Sequence, residues 1–379
     1  MKRIGIFSAH YLPSMGGVEN YTDNLAKALI KRGVEVVVVT SSHPNAANYE
    51  ERDGILVYRL PCYNLLAGRF PISKVNREYR QLYKELMELS FDLVIVQTRF
   101  YWHSIAGVRF AKKQKCKSII IDHGTSHMTI GSKFWDTVGG WYEHLITALA
   151  KRYCKDYYGV SLDCCRWLEH FGIKARGVLY NAIDDEQIQA LMKQAGRDFR
   201  KEFKVADETV IITYTGRLVK EKGIMNLIEA VKQYQGQQQI CLMIAGKGEE
   251  MANVQAAASE RIIPLGRLSF EDIVALLKQS QIFCLPTNYP EGFPTSTLEA
   301  ISAGCYIITT TRGGAQELLI DESYGILMKD NAVETICSSI EQAMVLGEER
   351  EEAINRAHER VLNNFTWDII SQKIYELLD

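Results

Sequence analysis

The strongest constraint in this chain is a pattern that occurs twice: a short apolar run closes on a glycine turn, and an amphipathic helix follows. Near the start, RIGIFS (3–8) leads through HYLPSMGGVENY into a helix over 19–31, apolar at Tyr21, Leu25, Ala28 and Leu29. Gly33 ends that helix, and VEVVVVT follows. Runs this short and apolar fit strands of a buried parallel sheet, and the intervening helix completes a βαβ unit. Further strands are expected at 55–60, 92–97, 117–122, 157–160 and 177–180. The pattern restarts at 210–215 and continues at 240–245, 261–265, 281–285 and 306–309. Helices alternate with these runs, including 270–279, whose SFEDIVALL opens on a capping Ser269. Two doubly wound α/β domains follow from this repetition, and 379 residues exceed the usual size of a single core. The linker is expected near 183–187, in the polar turn LYNAID. The final helical stretch, NNFTWDIISQKIYELL, carries Phe365, Trp367, Ile370 and Tyr375 at helical spacing.

Net charge is −2, but it is unevenly placed. Residues 1–185 hold 25 Lys/Arg against 18 Asp/Glu, and the remainder 19 against 28. A basic front half favours an anionic partner such as a membrane surface or lipid phosphate. Within it, Tyr63–Leu66, Arg69, Phe70, Lys74, Arg77, Tyr79, Arg80 and Lys84 form a basic, aromatic stretch; a helix there would present cations beside apolar groups. Nine cysteines form no CxxC pair and sit mostly in apolar runs, as reduced core residues of a cytoplasmic protein do. No secretory signal opens the chain and no window approaches eighteen apolar residues, so any membrane role is expected to be peripheral, at the inner face.

The stretch richest in chemistry is EGFPTSTLE (291–299). It follows a buried strand and a turn and runs into a helix. Such a helix start offers backbone N–H donors and a positive dipole, and so attracts phosphate. Glu291 and Glu299 bracket that start, and carboxylates accept hydrogen bonds from vicinal hydroxyls. An acid, a phosphate cradle and a second acid suit a sugar, a diphosphate and a ribose laid end to end. After the 210–215 strand comes GRLVKEKG, where Arg217 and Lys222 can reach the crevice at the sheet's carboxyl edge and suit a diphosphate. Gly246 and Gly313-Gly314 mark further close-approach loops on that edge. In the first half, Gly16-Gly17 allow a ligand close to the backbone, without the GxGxxG of a nicotinamide site. His123, in SIIIDHG, stands at a strand's carboxyl end and is placed to touch substrate. Tyr101, Trp102, Arg99 and His103 after the preceding strand, with the glycine-punctuated and mobile loop expected across TSHMTIGSKFW and TVGGWYEH, could shape a second pocket.

Together these motifs resemble the retaining glycosyltransferases of family 4, along the whole chain and in the same order. SMGGVE looks like the N-terminal glycine loop, DHGT the loop with the active-site histidine, and YNAID the segment before the second domain. GRLVKEKG is similar to the Arg/Lys phosphate loop and EGFPTSTLE to the E-x7-E signature. The resemblance implies the GT-B fold: α/β, two Rossmann-like domains facing across a cleft, over 1–185 and 186–362, with a C-terminal helix at about 363–379 crossing back. It implies catalytic roles for His123, Arg217, Lys222 and Glu291. Donor contacts would come from Gly16, Gly17, Gly216, Gly246, Arg267, Gly292, Phe293, Pro294, Thr295, Ser296, Thr297 and Glu299. Acceptor contacts would come from Tyr11, Arg99, Tyr101, Trp102, Ser126 and Asn181. No Asp-x-Asp motif appears, so neither a metal nor another cofactor is expected. The expected donor is a nucleotide sugar, UDP favoured over GDP because EGFP stands where EPFG would. The expected acceptor is a glycan or a lipid-linked sugar; no nucleic acid is expected. A nucleotide-sugar epimerase, a phosphorylase and a non-catalytic nucleotide-sugar-binding protein stay open as alternatives.

Overall fold

Apolar runs become strands almost where the sequence places them. In the computed structural model, which describes residues 1–65, 68, 70–128 and 133–378, the chain forms two units. One comprises Met1–Asn181 with Trp367–Asp379, the other Ala182–Thr366. The crossings expected at 185/186 and 362/363 fall at 181/182 and 366/367.

The first unit holds β1 (Arg3–Phe7), β2 (Glu35–Ser41), β3 (Tyr49–Arg52), β4 (Ile55–Leu60), β5 (Cys62–Leu65), β6 (Phe70–Ser73), β7 (Leu93–Gln97), β8 (Lys117–Asp122), β9 (Asp156–Gly159) and β10 (Gly177–Val178). Eight of them make one sheet in the order β10-β9-β8-β7-β1-β2-β4-β3, parallel except for the edge strand β3, while β5 and β6 pair as a separate hairpin. Val36 to Val39, Leu93 to Val96 and Ile119 to Ile121 are fully buried, as strands covered by helices on both faces must be. The basic stretch is part hairpin and part helix, with Leu66 and Arg69 outside the described residues. Its helix, Arg77–Glu88, is capped by Asn76 on the Tyr79 N–H at 2.8 Å, buries Leu82 and Leu86, and leaves Arg77, Arg80 and Lys84 exposed.

The expected loop across TVGGWYEH is instead helical. Lys133–Ala150 forms one helix through Gly139-Gly140, and the TIGS part of that loop lies outside the described residues. Two glycines cost a helix about 1 kcal/mol each relative to alanine. Burial of Glu143, Ile146, Thr147 and Ala150 at helical spacing outweighs that cost.

The second unit is one parallel sheet of β11 (Val210–Thr215), β12 (Ile240–Ala245), β13 (Ile262–Gly266), β14 (Ile282–Leu285), β15 (Tyr306–Thr310) and β16 (Ile326–Met328). Its order is β13-β12-β11-β14-β15-β16, so direction of winding reverses between β11 and β14. The loops after those two strands therefore flank the crevice where doubly wound sheets receive ligands.

The helix Glu348–Asn364 ends at Phe365, and a new one, Trp367–Tyr375, joins the first unit. It packs on the helix Gly17–Lys31, where Arg32 donates to the Asp368 carbonyl at 2.7 Å and to Ser371 Oγ at 2.8 Å. Trp367 sets its ring edge-on to Tyr21, 5.1 Å between centroids. Ile183 N donates to Phe365 O at 3.0 Å, so the outgoing and returning strands of chain run side by side.

Beneath the first sheet's carboxyl edge lies a buried charge cluster. Arg99 reaches Asp122 at 3.0 Å and Glu143 at 2.9 Å, with all three side chains at most 1% exposed, and Phe171 covers the guanidinium at 4.0 Å. Removing one member of such a cluster leaves buried charge uncompensated. Arg99→Ala should therefore lower unfolding free energy by about 3–5 kcal/mol in urea titrations; a change below about 1 kcal/mol would contradict this account of the cluster.

Candidate active site

Two loops of the second unit, one after β11 and one after β14, are fastened to each other at several points. Gly223 has φ +69°, and a Cβ there would fall 2.2 Å from the Pro286 carbonyl oxygen. Only glycine lets the loops approach so closely. Asn288 N then donates to Glu221 O at 2.6 Å, and the Arg217 guanidinium lies over the Tyr289 ring at 4.9 Å. This fastening delivers Lys222 to Glu291: Nζ and Oε1 are 2.9 Å apart, with both side chains 12% exposed. Thr287 Oγ1 also donates to Glu291 Oε1, at 3.3 Å. An ammonium carries three donors, so Lys222 can hold Glu291 and still present N–H groups to an anion.

Helix Thr295–Ser302 begins where the sequence places it, with Pro294 in the capping position, which makes no side-chain cap hydrogen bond. Thr295 and Ser296 stand at that open start. Thr297 is different: its N–H turns back to Pro294 O at 3.2 Å, and its hydroxyl is buried without a hydrogen-bond partner. Phe293 is buried against Phe365, 5.3 Å between ring centroids, which anchors the loop. Glu299 keeps part of its surface open, yet burial pushes its carboxyl up to about 7. A ligand hydroxyl pair there would meet a group poised between acid and carboxylate near neutral pH.

Neighbouring loops extend the same edge. Gly216 N donates to Ala245 O at 3.1 Å, Leu218 N to Lys247 O at 2.9 Å and Gly246 N to Gly266 O at 2.7 Å. Arg267 follows Gly266 and is exposed. The loop after β15 completes the wall: a Cβ on Gly313, φ +56°, would lie 2.2 Å from the Glu291 carbonyl oxygen, and one on Gly314 2.1 Å from the Phe293 ring. From the sequence this glycine pair is only a close-approach loop. Its role as the support of Glu291 and Phe293 comes from the strand order, which places β15 beside β14.

The first unit's residues are distributed differently. His123, after β8, meets the Gln97 amide at 2.7 Å and the edge of Tyr21 at 4.8 Å. Burial pushes its pKa down to about 3, so the imidazole is neutral around pH 7. The Glu19 carboxylate folds back on Gly16, 2.4 Å from where a Cβ would stand, so the helix beginning at Gly17 already has a carboxylate at its start. Of the expected acceptor residues, Tyr11 is buried with its hydroxyl on Asp23 at 2.6 Å, and Arg99 lies in the charge cluster. Tyr101 packs between His10 and Phe70, Trp102 and Ser126 are exposed, and Asn181 is buried at the end of the unit. The structure thus gathers Arg217, Lys222, Glu291 and the helix start into one cradle, while Tyr11 and Arg99 spend their polar groups on partners within the first unit.

Residues 195–360 match the family described as Glycosyl transferases group 1, and residues 15–187 the one described as Glycosyltransferase Family 4. The chain belongs to the group 1, family 4 glycosyltransferases. An uncharacterised glycosyltransferase of Methanocaldococcus jannaschii is 26% identical over 96% of this chain and 94% of its own length. The GPI3 subunit of phosphatidylinositol N-acetylglucosaminyltransferase from Saccharomyces cerevisiae is 23% identical over 99% of this chain and 80% of its own. Among solved structures, HepE of Anabaena in complex with UDP and glucose shares the fold, with TM-score 0.74, 17% identity and coverage of 100% of this chain and 99% of that one. The fold class is the expected one, two Rossmann-like α/β units with parallel sheets as in GT-B proteins.

In this glycosyltransferase, cations, open N–H groups and acids share one sheet edge, an arrangement able to hold an anionic leaving group and sugar hydroxyls together. Its Glu299 carboxyl makes a test of the geometry. With the folded-state pKa raised from an ordinary carboxyl value to about 7, the folded protein binds the proton more tightly, so this group's contribution to stability falls as pH rises from about 4.5 to about 7. Glu299→Gln lacks that titration. Its stability relative to the parent should climb across this window and level above it in denaturant titrations; a pH-independent difference would show that Glu299 is not enclosed as described.

Proposed function

We propose that this chain is a retaining, metal-independent hexosyl- or N-acetylhexosaminyltransferase. It takes the sugar from a nucleotide diphosphate sugar, UDP-linked in preference to GDP-linked, and passes it to a glycan or lipid-linked acceptor of bacterial surface polysaccharide or glycolipid synthesis. The observation that carries this reading is the Lys222–Glu291 pair at the switch point, with Arg217 beside it and an uncapped helix start following. Support also comes from HepE, which was solved with UDP and glucose, and from the N-acetylglucosaminyltransferase name of the yeast relative.

Breaking the bond between the sugar's anomeric carbon and the phosphate oxygen leaves negative charge on the diphosphate and cationic character on the sugar. Lys222, Arg217 and the N–H groups at Thr295 and Ser296 stabilise the first, and Glu291 holds sugar hydroxyls. Two fixed cations take the place of a metal ion. The acceptor oxygen bonds to the anomeric carbon on the face the phosphate leaves, and the departing phosphate takes the acceptor proton. His123, being neutral, acts as a hydrogen-bond partner and not as a cation.

Lys222→Ala and Glu291→Ala should each lower kcat for sugar transfer by about 10²–10³-fold while melting cooperatively. Transfer should persist in chelator and gain nothing from added Mg²⁺. Normal turnover in either folded variant, or strict Mg²⁺ dependence, would refute the assignment. An epimerised nucleotide sugar, or donor binding without transfer across an acceptor panel, would point to a different enzyme or to a binding protein.

Contact with an anionic membrane is supported by the exposed cations of Arg77–Glu88 and by exposed Phe134, Trp135, Val138, Trp141 and Leu145 on Lys133–Ala150. None of the helices among the described residues is long and apolar enough to span a bilayer. Anionic vesicles should retain the protein at low salt and release it as salt rises; no retention at low salt would exclude this contact.

A further inference from the structure

Apart from the residues assigned above, three imidazoles of the first unit converge. His127 comes from the segment after β8, His144 from the helix Lys133–Ala150, and His170 from the end of the helix Leu162–Glu169. His170 Nε2 lies 3.2 Å from His127 Nε2 and 3.2 Å from His144 Nε2. One ring nitrogen carries either one proton or one lone pair, so it cannot make two good hydrogen bonds at once. Tetrahedral bonds of about 2.0–2.1 Å to zinc, by contrast, set ligand nitrogens about 3.3 Å apart.

What surrounds the imidazoles fits the same reading. His127 Nδ1 faces Glu143 Oε2 at 3.3 Å, the carboxylate–histidine arrangement that fixes a ring so that its other nitrogen points at a metal. Glu143 is itself held by Arg99 at 2.9 Å and by the Met128 N–H at 2.7 Å. Trp167 stacks on His170 with centroids 4.8 Å apart and planes 6° off parallel, and Phe171 sits 4.7 Å from the His144 ring. His144 and His170 are exposed on their outer side, which leaves room for water as a fourth ligand.

We infer that His127, His144 and His170 bind one divalent transition-metal ion of the zinc class through their Nε2 atoms, Glu143 orienting the first. The ion ties the helices Lys133–Ala150 and Leu162–Glu169 to the segment that follows β8. This clasp is independent of the transfer reaction proposed above, and its test is read from metal binding.

Metal-stripped full-length protein is titrated with Zn²⁺ against a chromophoric chelator, and with Co²⁺ followed by visible absorption. One equivalent should bind, Co²⁺ should give the intense bands of a tetrahedral site, and saturating Zn²⁺ should raise the melting temperature. His144→Ala and His170→Ala should each weaken binding by about 100-fold and lose the Co²⁺ bands, with metal-free melting unchanged. His43→Ala, outside the cluster, should bind as the parent does. Absence of stoichiometric binding in the parent, or parental affinity in both cluster variants, would overturn the inference.

Discussion

A lysine and a glutamate on separate loops, held 2.9 Å apart and largely out of water, organise the second unit's ligand edge. Opposite charges in partial burial attract strongly, but desolvation works against them, so such a pair persists only where the backbone brings it together. Here the backbone does so through contacts that tolerate no side chain at Gly223 and Gly313. The pair is thus the product of loop geometry, and the loops in turn follow from the strand order. Because winding reverses between β11 and β14, their carboxyl ends diverge into a crevice with one cation-bearing loop and one acid-bearing loop on its sides.

The first unit uses its charges in another way. Arg99, Asp122 and Glu143 lie in the core, and the same Glu143 reaches outward to His127. A neutral His123 stands between Gln97 and Tyr21, and Tyr21 leans on Trp367 from the far end of the chain. Loop position on this unit is therefore set by buried polar contacts, where the second unit relies on close backbone approach.

Much of this was legible in the residues because the strands are short, apolar and separated by glycine. The runs at 55–60, 117–122, 210–215 and 240–245 become strands with those bounds, and the helix after EGFP starts at Thr295. What escaped depended on tertiary partners. Gly139-Gly140 argued for a loop, but the helix through them buries one face, Glu143, Ile146, Thr147 and Ala150, and survives. The β5–β6 hairpin lies off the main sheet, where no alternation marks it. Arg99 reads as a surface cation until two carboxylates, 23 and 44 residues away, are folded onto it. Three histidines spread over 44 positions have no spacing motif, and only the packing of two helices and a loop brings them together.

The interruption of the first unit by the whole of the second has a consequence for how the molecule is made. Residues 182–366 are continuous and can become compact as soon as they leave the ribosome. The earlier-synthesised unit lacks Trp367 and the helix that seats beside Gly17–Lys31 until residues 182–366 have been made. The unit begun first is therefore closed only after the second has been made, and Tyr21 stays an unsealed seam until Trp367 follows it.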